Sequence, residues 1–363
     1  GASFDGGRFE FGLSGLDGIF AQRRNAVSPK FLRMLRDILH FNKHALAASA
    51  DRSLTIGGLM AKLGLSDFFR DHYLLPFSGA IWSTPKEKIM DFPAHALVRF
   101  FENHALLSHT GQHQWYTVEG GSIEYVRRLV QAIEDKGAVL RSGAPVDTVR
   151  RRDGQVQVRA EGAWDVYDDV VFATHGDISL KLLGDASVQE RDALGKVAYQ
   201  PNRMVLHSDT TMMPQRRACW SSWNYVEAPD KTTEAIDLTY WMNKLQPLET
   251  DEPLIVTLNP PVEPEEGSIH CSFLYDHPVF DKNAMAAQQE LHKLQGQNHT
   301  WFCGAYFGFG FHEDGLQSGL AVAEALGGLR RPWQVENESG RIFWPGHVST
   351  RKQDAGNATD SQP

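Results

Sequence analysis

The chain has 363 residues, 42% of them hydrophobic and 22% charged, which is enough apolar material for the cores of two or three globular domains. A formal charge of −9 argues against a broad basic face for nucleic acid and against unaided electrostatic attachment to anionic lipid. No apolar run is long enough to span a membrane, and the opening GASFDGGRFEFG lacks the basic-then-apolar order of a secretory signal.

The first clear element is a helix capped by Ser28, with Pro29 at its first position and Phe31, Leu35, Ile38 and Leu39 on one face. A second helical stretch starts near Ser66 and runs through Phe68, Phe69 and Tyr73 into Leu74-Leu75-Pro76. From Trp115 the pattern changes. Gly120-Gly121 precede a helix with Ile123, Val126, Leu129, Val130 and Ile133 on one side, ending at Lys136-Gly137, and Ala138–Arg141 reads as a short strand. The turn Asp153-Gly154 between Pro145–Val149 and the alternating Gln155–Arg159 predicts a β-hairpin. Asp169–Thr174 reads as a strand buried on both faces, as in a parallel sheet.

Strand-like runs then recur at Met204–His207, Leu254–Leu258 and Ile269–Leu274, with Trp220, Trp223, Tyr225, Tyr240 and Trp241 among them. A mostly antiparallel domain fits, its aromatics forming core or lining an acyl tunnel. Thr300–Gly304 looks like another buried strand. It leads through a glycine-rich loop to a helix with Leu316, Leu320, Ala323 and Leu326 aligned, stopped by Gly327-Gly328. The polar end, Arg351 to Pro363, reads as a disordered tail.

Cys219, Cys271 and Cys303 stand far apart and form no CxxC pair, so neither a disulfide framework nor a zinc site is expected, and a reducing cytoplasm is the expected compartment. His277 with Asp276 and His270 lacks a third patterned ligand, so no metal is expected. No Gly-x-Ser-x-Gly elbow of a serine hydrolase occurs.

The chemistry-bearing block is WFCGAYFGFGFHEDGLQSGLAVAEALGG, residues 301–328. A strand, a glycine loop permitting close approach, and a helix whose N-terminus points at the loop together stabilise negative charge. Its glycines do not have Rossmann spacing. A second block, VEGGSIEYVRRLVQAIEDKGAVLRSGAPVDTVRRRDGQVQV (118–158), ends in the strand VVFATHGD at 170–177.

In this order the two blocks resemble the flavin-containing amine oxidase superfamily, with its phytoene desaturases and protoporphyrinogen oxidases. The stretches HYLLPFSGAIWSTP (72–85), CWSSWNY (219–225), DLTYWMNKLQ (237–246) and HPVFD (277–281) look like a bacterial amine-oxidase-like subgroup that often accompanies cyclopropane-fatty-acid-synthase-like enzymes. The resemblance spans about residues 5–345. It implies an α/β fold: an FAD/NAD(P)-binding Rossmann-like domain, with an inserted mixed α+β substrate domain. The family opens with a strand, GxGxxG and a ribose-binding acid. No GxGxxG follows a strand in this sequence, and neither Gly6-Gly7 nor Gly57-Gly58 has the spacing, so that domain is expected to be incomplete at its N-terminus.

The resemblance also implies FAD as cofactor. Cofactor-binding positions fall at the Gly120-Gly121 turn, at Val146 through its backbone to the adenine, and at Ala173, Thr174 and His175. Gly304, Ala305, Asp314, Gly315, Leu316 and Gln317 would form a wall beside the flavin ring. Tyr306, His312 and Glu313 are candidate catalytic groups. Glu313 and Asp314 equally suit a purely structural role in a helix first turn, and His312 a backbone contact. Expected divisions are 1–112 and 199–295 for the substrate domain, 113–198 and 296–334 for the FAD-binding domain, and 335–363 as tail. The expected reaction is flavin-dependent dehydrogenation of an apolar substrate, such as a lipid acyl chain. A small amine as substrate and a non-catalytic remnant without FAD stand as alternatives. The implied partners are a small-molecule or lipid substrate, with peripheral membrane contact open and no nucleic acid.

Overall fold

A computed structural model describes residues 1–345 except 52, 83–88, 108–113, 115, 228–237, 336, 337 and 339. The tail expected from Arg351 lies outside the described residues, as does Trp115. The chain divides into two compact units, Gly1–Ser142 with Tyr199–Lys282, and Gly143–Ala198 with Asn283–Pro363. The break after residue 142 leaves the helix Ile123–Glu134 in the first unit, whereas the sequence places a boundary at 112/113.

The first unit is built on a seven-stranded sheet. Across it run Ile269–Pro278, Tyr199–His207, Ile255–Leu258, Leu238–Trp241, Trp223–Val226, Ala2–Phe4 and Phe9–Phe11. All pairings are antiparallel except that of Ala2–Phe4 with Trp223–Val226, where Ala2 faces Tyr225. The three strand-like runs are all present as strands: Met204–His207 and Ile269–Leu274 are parts of the longer Tyr199–His207 and Ile269–Pro278, and Leu254–Leu258 is shortened to Ile255–Leu258.

The helix Pro29–Ala48 starts as its sequence dictates: the Ser28 hydroxyl accepts from the Phe31 amide and Pro29 occupies the first turn. Its buried face is Phe31, Met34, Asp37, Ile38, Phe41 and Ala45, while Leu39 of the expected face is 54% exposed. Asp37 is buried because its carboxylate accepts from the Ser66 amide (3.0 Å) and from the Ser66 hydroxyl. Ser66 in turn caps the stretch that leads through a π-helical turn, Arg70–Leu74, into Leu75–Trp82. Pro76 has no N–H to donate, so a widened turn just before it is the expected response.

The expected helix forms as Ile123–Glu134, with Leu129 60% exposed and no residue buried. One expectation in this unit fails: Ala138–Arg141 is not a strand. Val139 is 83% exposed, and without a neighbouring strand its backbone has no ladder to join.

In the second unit the Asp153-Gly154 hairpin is present, pairing Val146–Arg152 with Gln155–Ala160. Both turn residues have positive φ (54° and 75°), as a type I′ turn requires. A second such turn at Glu161-Gly162 adds Ala163–Tyr167, a strand not read from the sequence. Separately, Thr300–Phe302 pairs in parallel with Val170–Phe172, stacking Phe302 on Phe172 at 5.4 Å. Only part of the latter strand is buried, since Val171 is 42% exposed. Arg151 ties the parts of this unit together. Its guanidinium reaches Glu190 at 2.6 Å and Thr300 Oγ1 at 3.2 Å, with side chains 7% and 3% exposed for Arg151 and Glu190.

The architecture is α/β, with sheets and helices in both units. Among the described residues no helix is long and apolar enough to cross a membrane.

Candidate functional site

The parallel pair places two loops at the carboxyl ends of its strands, where ligands bind in open α/β sheets. One loop is Ala173–His175, opening the helix Gly176–Leu182; the other is Cys303–Phe311, opening the helix His312–Gly327. They are held side by side by the Cys303 amide, which donates to Phe172 O at 2.9 Å. Gly304 (φ +155°) follows at once, and a Cβ there would lie 2.7 Å from the Tyr306 ring. Only glycine lets the chain turn under that ring.

Ser318 locks the loop to the helix. Its hydroxyl accepts from the Gly304 amide (2.9 Å) and lies 3.1 Å from Gly304 O and 3.0 Å from Gly315 O. Asp314, fully buried, accepts from the Phe309 and Phe311 amides at 2.9 Å each and from Arg341 Nε at 2.6 Å. Gly308 is fixed by the same packing, because a Cβ there would sit 2.5 Å from the Asp314 carboxylate. Arg341 offsets the charge of Asp314, while Glu313, the other first-turn acid, is exposed and accepts from the Gln317 side chain. Gln288 completes the loop by donating to Tyr306 O at 3.1 Å and to Gly308 O.

These contacts select the helix face. Asp314, Gln317, Ser318, Ala321 and Val322 are buried, and Leu316 is 56% exposed, so the aligned Leu316, Leu320, Ala323 and Leu326 do not form the core face. Polar anchoring to the loop outweighs the apolar stripe. Two positions on the helix leave open space: a Cβ at Gly315 would meet only Ala305 N, at 3.8 Å, and at Gly319 nothing within 4 Å.

Of the sequence-named positions, Ala173, Thr174, His175, Gly304, Ala305, Asp314, Gly315, Leu316 and Gln317 come together in the second unit. Thr174 and His175 are exposed; Thr174 Oγ1 lies 2.9 Å from Ser179 Oγ, and His175 O accepts from the Ser179 amide. Gln317 receives the Arg341 amide on its side-chain oxygen and donates to Glu313. Tyr306 is buried, whereas His312 and Glu313 are exposed at the helix start. Val146 begins its hairpin strand in the same unit, 37% exposed opposite Ala160. Gly120 and Gly121 (φ 78° and 86°) belong to the first unit, in the turn before Ile123. Ser318, Gln288 and Arg341 shape the loop and were not singled out in the sequence; a serine on the inner face of a helix, in QSGLA, is the one signal that pointed there.

The histidines set aside as metal ligands have other partners: His277 Nδ1 lies 2.8 Å from Asn202 Nδ2, and His270 Nε2 lies 2.8 Å from Ser208 Oγ. Trp220 and Trp241 are half-buried and Trp223 is exposed, with the Arg217 guanidinium 3.8 Å from the Trp220 ring and 4.5 Å from Trp241.

No family profile matches the sequence, and no curated protein matches it. Solved structures do share the fold. A CLA-producing fatty acid isomerase from P. acnes superposes with a TM-score of 0.54 at 13% identity, covering 84% of this chain and 74% of that one. A putrescine oxidase gives 0.54 at 12% identity over 82% and 76%. Cyclohexylamine oxidase from Brevibacterium oxydans IH-35A gives 0.51 at 11% identity over 84% and 76%. At such identities the likeness is one of fold.

Proposed function

We propose that the second unit holds the ring system of FAD against the wall Gly304–Gln317, and that the protein is a flavin-dependent oxidoreductase acting on an apolar substrate. The observation that carries this reading is the Cβ-free lane along the helix His312–Gly327. Gly315 and Gly319 leave room there for a flat group, beside a loop whose glycines permit backbone approach. Ala173 and Thr174 would border it from the other strand end. A bound flavin supplies the acceptor for the hydride equivalent removed from a substrate C–H.

The chain's own residues do the rest. The first amides of the helix have no intrahelical acceptors and favour negative charge at the loop. Asp314 and Arg341 fix the loop in place before any ligand arrives. His312, exposed at the helix start, is able to take or give a proton at an imidazole nitrogen, and Glu313, bonded to Gln317, would orient it or the substrate. Tyr306 closes the loop from beneath. A fatty acid isomerase among the fold relatives favours an apolar substrate.

The test is to add FAD to the purified protein, remove the excess, and record the visible spectrum. Anaerobic addition of a long-chain fatty acid, and separately of putrescine, follows. Retained flavin absorbance that bleaches with the fatty acid supports the reading. Bleaching with putrescine alone would transfer it to an amine. Absence of retained flavin would overturn it.

A further inference from the structure

The hairpin at the start of the chain builds a second, unrelated cavity, wholly within the first unit. Asp5, Gly6 and Gly7 carry successive positive φ values of 50°, 62° and 85°, a left-handed turn between the strands Ala2–Phe4 and Phe9–Phe11. Gln22, only 3% exposed, pins this turn: its side-chain nitrogen donates to Gly7 O at 2.9 Å and its oxygen accepts from the Glu10 amide at 3.2 Å. Beside the turn lies an open cavity of about 500 Å³, lined by Arg8, Arg23, Arg24 and Arg216 among others. A neighbouring cavity of about 300 Å³ shares Arg8 and Arg24 and adds Lys30 and His72.

The charge balance there is unusual for this chain. Arg216 is neutralised by the buried Glu10 at 2.8 Å, and its guanidinium also donates to Gly7 O. Arg24 reaches only the neutral Gln22 oxygen, at 3.5 Å. Arg8, Arg23 and Lys30 have no ion pair among the described residues. Asp5 is the carboxylate lining the second cavity, and Glu227 accepts from its amide. A protein with a net charge of −9 has therefore gathered three uncompensated guanidinium groups around one pinned turn. Like charges held together repel, and the arrangement is favourable when an anion joins them. A single carboxylate would satisfy one guanidinium fork; several forks around one cavity suit the greater charge and the many acceptor oxygens of a phosphoryl group.

We propose that this arginine-lined cavity is a binding site for a phosphate monoester or diphosphate group. The site is independent of the flavin wall, which lies in the other unit, and its test does not require flavin. Phosphate of this chemistry could come from a soluble compound or from a lipid headgroup, and the two arms of the experiment separate them.

In the first arm, inorganic pyrophosphate is titrated calorimetrically into the full chain, the Arg8→Gln and Arg23→Gln variants, and an Arg128→Gln control on a different exposed helix. In the second, the same proteins are sedimented with phosphatidylcholine vesicles containing phosphatidic acid. The side chains of Arg8, Arg23 and Arg128 are exposed, and matching melting curves establish that the variants fold. The expected result is pyrophosphate binding that weakens by about tenfold or more in each cavity variant, falls with added salt, and is unchanged in the control. Vesicle binding lost in the same two variants, with no binding of pyrophosphate, assigns the phosphate to a lipid and equally supports the site. Absence of binding in both arms, or binding that Arg8→Gln and Arg23→Gln leave intact, overturns the proposal.

Discussion

Asp314→Ala tests whether the loop Cys303–Phe311, beside the proposed flavin wall, is pre-formed by the protein itself. The carboxylate is fully buried, accepts two backbone amides at 2.9 Å, and pairs with Arg341 at 2.6 Å. Hydrogen bonds to a charged group contribute roughly 1.5–3 kcal/mol each, so the two amides alone account for about 3–6 kcal/mol. Alanine recovers a few tenths as the better helix former, and Arg341, 19% exposed, regains some water. The expected net loss is about 3–5 kcal/mol, the range for breaking a buried pair from one side. Urea unfolding of the transition that reports the second unit reads this as a lowered midpoint at constant slope. In a cycle with Arg341→Met, the double variant should be more stable than the sum of the single losses predicts, by about 1 kcal/mol or more. A loss under about 1 kcal/mol, or a strictly additive cycle, would refute the reasoning, because the loop would then be held by other contacts.

Arg151→Met should destabilise by a similar amount, about 3–5 kcal/mol by urea midpoint, since it strands buried Glu190; Arg151→Lys should rescue only part, lacking the planar fork. Gly154→Val, at φ +75°, should cost about 1–2 kcal/mol in the same assay by forcing a β-branched residue into a left-handed turn. The Arg331 guanidinium, hydrogen-bonded to Glu324, holds that carboxyl down at about 2 from an ordinary 4.5. A folded value below the unfolded one gives stability that is present above pH 4.5 and lost as pH falls toward 2; Glu324→Gln should flatten that part of the stability–pH curve, read by urea midpoints across the range.

Local chemistry was legible in the sequence wherever it is decided locally. The Ser28-Pro29 start and the Asp153-Gly154 hairpin follow from backbone preferences that tertiary contacts did not override. The seven-stranded sheet was legible only in pieces. Its first-strand partner is more than 200 residues away, Ala2 facing Tyr225, and no local signal encodes that pairing. The helix His312–Gly327 was legible from its aligned Leu316, Leu320, Ala323 and Leu326, but its buried face was not. The inner face is instead set by Asp314, Gln317 and Ser318 bonding to a loop and to Arg341, a cue that hydrophobic spacing does not carry. The glycine-rich loop and helix start at 304–317 were legible as a unit, and the structure brings them together with 173–175. Their anchor Arg341 lies beyond the motif and had no signature.

The central claim is that a flavin lies in the Cβ-free lane at Gly315. Titration of FAD into the parent protein and Gly315→Val, following flavin fluorescence and the absorption bands near about 370 and 450 nm, measures it directly. Valine costs under about 1 kcal/mol in a helix, so the fold should survive, and matching melting curves will establish this. The account predicts saturable FAD binding by the parent, and at least about tenfold weaker binding by the variant, the ring being blocked where a Cβ now has only Ala305 N at 3.8 Å. Equal FAD affinity in two equally folded proteins would contradict it and leave the helix as scaffold alone.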